Sequence, residues 1–146
     1  MRRTILLLAG ELLCVAALGS DSPKEYDDKT EVVGIEGTWR LIEMEVNNVK
    51  YKPSYQCVAV YHSGTYTESY DSGNPIRSSY CIDPNHKPHH LDRIASTGFF
   101  KGQRLRCFYQ IDGDTLRIAT SSNDPSQRPQ GFKGENIEIC TYRRVK

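Results

Sequence analysis

The chain is 146 residues long, which holds one domain and at most a short appendage. Its 19 basic and 18 acidic residues nearly balance, so no charged face of the kind that binds nucleic acid or an anionic membrane is expected.

The N-terminus is set apart by composition. Arg2 and Arg3 precede the apolar run "TILLLAGELLCVAALG", and Ala17-Leu18-Gly19 offers a small-x-small cleavage site before Ser20. Residues 1–19 therefore read as a signal peptide, which predicts export to the periplasm or the cell exterior. Glu11 is atypical inside such a run. Cys14 raises a lipid anchor, but it follows Leu13 rather than a small residue, so plain export is favoured. Nothing later is apolar for about 18 residues, so no transmembrane span is expected in the mature chain. Removing Arg2, Arg3 and Glu11 leaves the two charge signs equal. Residues 20–34 are charged and poor in apolar side chains and read as a flexible leader. The domain then runs over 35–146.

From Gly37 onward the pattern has period two, broken by turn formers at short intervals. Eight strands are predicted in chain order: "TWRLIEMEV" (38–46), "YQCVAVYH" (55–62), "TYTESYD" (65–71), "IRSSYCID" (76–83), "HHLDRIAS" (89–96), "RLRCFYQI" (104–111), "TLRIATS" (115–121) and "NIEICTYRRV" (136–145). Asn47-Asn48, Ser63-Gly64, Ser72-Gly73-Asn74-Pro75, Pro84-Asn85 and Asp112-Gly113 punctuate them, the last in the clearest hairpin signal, "FYQIDGDTLRI". No helical stripe interrupts the series; only "LDRIASTGFF" leaves room for a short helical turn. The expected fold is all-β, an eight-stranded antiparallel up-and-down barrel, because closure removes the exposed edges of an open meander. Such a barrel is just wide enough to be filled by side chains or to hold one small ligand.

Candidate chemistry is sparse. Cys57, Cys81, Cys107 and Cys140 permit two disulfides in three pairings, or four half-buried thiols, and none has the spacing of a zinc or redox motif. His86, His89 and His90 lie near Asp83 and Asp92, but adjacent strand residues point to opposite faces, so at most one of His89 and His90 can join His86. Pro84 and Pro88 make a solvated turn the preferred reading, and no metal or other cofactor is expected. No nucleophile motif is present, and the carboxylate pairs Asp112/Asp114 and Glu43/Glu45 fall in a hairpin and on one strand face. An enzyme is therefore unsupported.

Nine Tyr against four Phe is a polar bias for a small barrel. Tyr61, Tyr66, Tyr80 and Tyr109 are candidate lining residues for a small apolar or amphipathic ligand; filling the core or facing outward are the alternatives. Arg128, Pro129 and Phe132 stand in the polar stretch 121–134. Either Phe132 plugs the barrel mouth while Arg128 pairs with Asp83 or Asp92, or the loop contacts an envelope protein partner.

Gly37 and Trp39 open the first strand, and Gly-x-Trp there resembles lipocalin-like folds. "EGTWRLIEMEVNN", "IDPNHKPHHLDRI", "FYQIDGDTLRIA" and "QRPQGF", in that order, resemble an uncharacterised exported domain family abundant in planctomycete bacteria and regarded as lipocalin-like. The positions carrying the resemblance are Gly37, Trp39, Asp83, Pro84, Pro88, Asp92, Tyr109, Asp112, Gly113, Asp114, Leu116, Arg128, Pro129 and Phe132. It implies that the indole closes one barrel end under an arginine of the last strand. Arg143, which alternates in phase with Ile137 and Ile139, is preferred to Arg144 for that role. Asn47-Asn48 departs from the family's Asp-Gly or Asn-Gly, and the cysteines are not part of its pattern. The family has no established activity, so the resemblance implies fold and export, not a reaction. Two functions are then expected: a non-enzymatic ligand binder, or a filled barrel that meets a protein partner through loops 71–76 and 121–134.

Overall fold

The computed structural model describes residues 34–146. The expected signal peptide and cleavage site, Cys14 and nearly all of the expected leader lie outside them. Nine strands are present: β1 (Gly37–Val46), β2 (Val49–Tyr51), β3 (Cys57–His62), β4 (Thr65–Tyr70), β5 (Ile76–Asp83), β6 (His89–Ala95), β7 (Arg104–Asp112), β8 (Thr115–Ser121) and β9 (Ile137–Arg144). All pair antiparallel with their neighbours, and β1 pairs with β9 to close the sheet. The result is an eight-stranded up-and-down barrel of lipocalin-like form, with β2 as one additional strand. No helix among the described residues is long and apolar enough to cross a membrane.

Each of the eight predicted strands forms. The short β2 escapes a period-two reading because its three residues are all exposed. It shares one edge of β1 with β3, which takes Gly37–Arg40 while β2 takes Met44–Val46. A register shift between Leu41 and Glu43 lets β1 bend, and it changes the phase of the strand. Trp39 and Leu41 face inward before the shift, and Met44 faces inward after it.

The tight turns follow backbone sterics. Asn47 and Asn48 both have positive φ (50° and 65°), as do Ser63 and Gly64 (46° and 75°), the signature of type I′ hairpins. In the β7–β8 hairpin Asp112 still pairs with Thr115, so the turn residues are Gly113 and Asp114, one place later than the sequence suggests.

Two apolar clusters hold the barrel. The interior one contains Trp39, Leu41, Met44, Ala59, Tyr61, Tyr66, Leu91, Tyr109, Leu116, Ile118 and Tyr142. The second lies on the outer wall, where Phe108, Ala119, Ile137 and Ile139 pack under Phe132. This outer cluster decides the arginine question. Arg143 does share the face of Ile137 and Ile139, but that face points outward, and Arg143 is exposed. Arg144 is the residue over Trp39, its guanidinium carbon 4.0 Å from the ring centroid. It also donates to the carbonyls of Glu36 (2.9 Å) and Gly34 (3.3 Å). The Trp39 indole is fully buried and donates to the Ile35 carbonyl at 2.8 Å. Gly37 (φ 130°) completes this closed end, since a Cβ there would stand 2.7 Å from Arg144 Nη1.

The cysteines form no disulfide among the described residues. Cys57, Cys81, Cys107 and Cys140 are all free thiols. Cys57, Cys107 and Cys140 sit on three different strands of the interior, each turned to its own polar neighbour, while Cys81 is exposed.

Candidate functional site

The interior is filled at one end and open at the other. Inward positions follow from the register. Tyr61 of β3, Tyr80 of β5 and Tyr109 of β7 stand at the end closed by Trp39 and Arg144. Tyr61 packs against Tyr66 (ring centroids 4.7 Å) and edge-on against Tyr80 (5.0 Å). All four candidate tyrosines point inward, Tyr61, Tyr66 and Tyr109 buried and Tyr80 half-buried. Three of them fill the closed end, and only Tyr66 borders free space.

That space is a cavity of about 380 Å³ in the opposite half of the barrel. Apolar side chains dominate its wall: Leu41, Met44, Ile76, Leu105 and Ile118. Its mouth is aromatic, formed by Tyr55, Tyr70, Phe99 and Phe100. Phe99 is 91% exposed, and its ring meets Phe100 edge-on at 5.1 Å. Tyr55 and Tyr70 approach to 5.6 Å.

Three charged groups, Arg93, Glu68 and Glu138, line the cavity at different depths, beside several hydroxyl side chains. Arg93 of β6 lies opposite Tyr80, towards the closed end, and its guanidinium stands 4.8 Å over the Tyr66 ring. Arg93 Nη2 meets the Cys107 sulfur at 3.7 Å. Arg93 Nε and the hydroxyls of Tyr61 and Tyr66 have no hydrogen-bond partner among the described residues. Glu68, across from Ile76, is nearer the mouth and accepts from the Cys57 thiol at 3.2 Å. Glu138, at the start of β9, lines the rim.

These surroundings keep two of the thiols, Cys57 and Cys140, protonated. Burial, then the Glu68 carboxylate, raises the Cys57 pKa well above that of a free thiol. Burial, then Glu138, pushes Cys140 up to about 12. A nucleophilic or metal-binding cysteine needs the opposite shift. Neither Cys57 nor Cys140 is poised for either role.

The stretch after β8 is a strap on the outer wall, not a plug in the mouth. Phe132 joins the outer cluster and lies 5.1 Å beneath the Arg117 guanidinium, and Pro129 is buried. Arg128 pairs with Asp92, one of its two expected partners, donates to the Cys107 carbonyl and stands over Phe108. Asp92 faces outward in strict alternation with Leu91 and Arg93, which is why Arg128 reaches it from outside.

The histidine loop behaves as a surface hairpin end. His90 joins His86, their rings stacked at 4.0 Å, while His89 packs on Tyr109. His86 Nδ1 is 3.0 Å from Asp83 Oδ2. Asp83, His86 and His90 have ligand atoms within 4.8 Å of one another, but near-parallel rings aim their lone pairs side by side rather than at one point. One member of each carboxylate pair is held in a surface ion pair. Asp114 pairs with Lys146 at 3.2 Å and Glu43 with Lys50 at 3.0 Å, and Asp112 ends β7.

Arg93 and Glu68 are absent from the sequence-derived site, yet a signal for both exists. Leu91-x-Arg93-x-Ala95 and Tyr66-x-Glu68-x-Tyr70 place each charge in phase with apolar neighbours, as an inward residue must be. No family model, curated protein or solved structure matches the chain.

Proposed function

We propose that the protein is an exported, non-enzymatic lipocalin-like module that holds a small amphipathic ligand in the open half of its barrel. The cavity carries the reading: its size falls within the range of small-molecule sites, and its wall is mostly apolar with a few convergent polar groups. The aromatic mouth suits the apolar part of such a ligand. Export rests on the N-terminal pattern of Arg2, Arg3 and the apolar run that follows, and membership of the exported planctomycete-type family rests on the ordered motifs. Cys57 and Cys140 held protonated, and Asp114 and Glu43 paired with lysines, favour binding over catalysis. The alternative, a filled barrel that meets an envelope partner through its loops, has less support. Arg128, Pro129 and Phe132 of loop 121–134 spend their contacts on the barrel's own wall.

The test is titration with a neutral fluorescent probe, N-phenyl-1-naphthylamine, whose emission rises in an apolar site. Saturable binding is expected, and Ala95→Trp, which fills the cavity from its wall, should abolish it while leaving the native β-sheet spectrum. Binding that survives Ala95→Trp, or no saturable binding at all, would overturn the cavity reading.

A further inference from the structure

Arg93 is a cation in the barrel interior that no carboxylate among the described residues contacts directly, although Glu68 of the same cavity lies within coulombic reach. It forms no ion pair with a carboxylate among the described residues, and its one hydrogen bond is to the Cys107 sulfur. By contrast Arg128 and Arg144, which also stack on aromatic rings, each have oxygen partners: Asp92 and the Cys107 carbonyl for one, the Glu36 and Gly34 carbonyls for the other. Charges taken out of water are normally paired, because an uncompensated one is expensive. Arg93 lines the cavity, and the unpartnered Tyr66 hydroxyl, on a residue 1% exposed, belongs to the same wall.

From these observations, and resting on the ligand-binding reading above, we propose that the cavity ligand carries a single carboxylate seated at Arg93, with its apolar body directed to the aromatic mouth. The depth of the charges sets both orientation and valence. Arg93 is the innermost charged group of the cavity, whereas Glu68 and Glu138 lie nearer the mouth. A monocarboxylate neutralises Arg93 and leaves an uncharged tail beside the two glutamates. A phosphate dianion would leave its second charge at the Arg93 end without a partner cation, and an uncompensated charge out of water is costly. Planar guanidinium also matches a carboxylate in a two-bond fork. The volume, about 380 Å³, accommodates on the order of a dozen water-sized groups, the scale of a medium-chain acid.

Competition against bound N-phenyl-1-naphthylamine on the full chain tests this, with decanoate, methyl decanoate and decyl phosphate as competitors. Decanoate should displace the probe at concentrations at least about tenfold lower than either analogue, a difference of about 1.4 kcal/mol. Arg93→Gln should bring decanoate to the level of its ester and leave the ester unchanged. The wild-type comparison needs no folded variant. An ester or phosphate equal to or better than the acid overturns the headgroup assignment while leaving the cavity reading intact, as does a bound probe that none of the three displaces. A preference for the acid that persists in a folded Arg93→Gln variant overturns Arg93 as its seat. Failure of the probe itself to bind removes the ligand-binding reading, and this inference with it.

Discussion

Trp39 and Arg144 act as one unit at the closed end, and single substitutions there should separate packing from chemistry. Trp39→Ala removes a fully buried indole and should cost about 3 to 5 kcal/mol in urea unfolding. Arg144→Met should lose about 0.5 to 2 kcal/mol from the stacking interaction, and more if the Glu36 and Gly34 carbonyls are left dry. Arg143→Met, one residue away on the outer face, should stay within about 0.5 kcal/mol of wild type. Equal losses from the two arginine variants would contradict the placement of Arg144. The thiols give a second test at this scale. Of the four barrel cysteines only exposed Cys81 should react rapidly with Ellman's reagent in the native state, and Cys81→Ser should remove that reaction. Cys57 and Cys140 bear on alkaline stability. Their folded pKa values lie above the unfolded value of 9.0, so the stability they contribute is complete below pH 9 and is lost as pH rises towards about 12. Thermal midpoints should therefore fall across that window, and less steeply in a Cys140→Ala variant.

At the scale of elements, the β1–β2 hairpin shows what its two turn asparagines do. Both turn residues have positive φ, which glycine would satisfy with less strain. Asn47 Oδ1, however, accepts from the Asn136 backbone at 2.7 Å, and Asn48 Oδ1 accepts from Gly134 at 3.4 Å. The hairpin thus ties down the end of the strap just before β9. Asn47→Gly should destabilise by about 1 kcal/mol, the net worth of the stronger tie, despite its easier backbone. Asn48→Gly, whose bond is long, should change stability by only a few tenths of a kcal/mol in chemical denaturation. The strap itself was legible only in part. Charge leaves Asp83 and Asp92 both open as partners of Arg128, and Phe132 stands out by its apolar isolation in a polar loop. Their position on the outer wall is not legible, because the face of Ile137, Ile139 and Arg143 reads as inward until the barrel assigns it to the outside.

For the molecule as described, alternation and turn chemistry were enough to determine an all-β domain, eight of the nine strands among the described residues and the closed meander, since a period of two and tight turns are local properties of the backbone. The same local information makes Tyr61, Tyr66, Tyr80 and Tyr109 candidates for the interior but leaves open whether they line it, fill it or face outward. It does not show which end of the barrel each occupies. Strand register decided that Tyr61, Tyr80 and Tyr109 fill the end under Trp39, that the cavity opens at the other, and that Arg93 and Glu68 come to it from strands far apart in sequence. Tertiary structure also kept the cysteines apart and chose Arg144 over Arg143. The reason is common to all of these: inside and outside become defined only when β1 meets β9, and a local pattern can fix the phase of a strand but not the sign of its face.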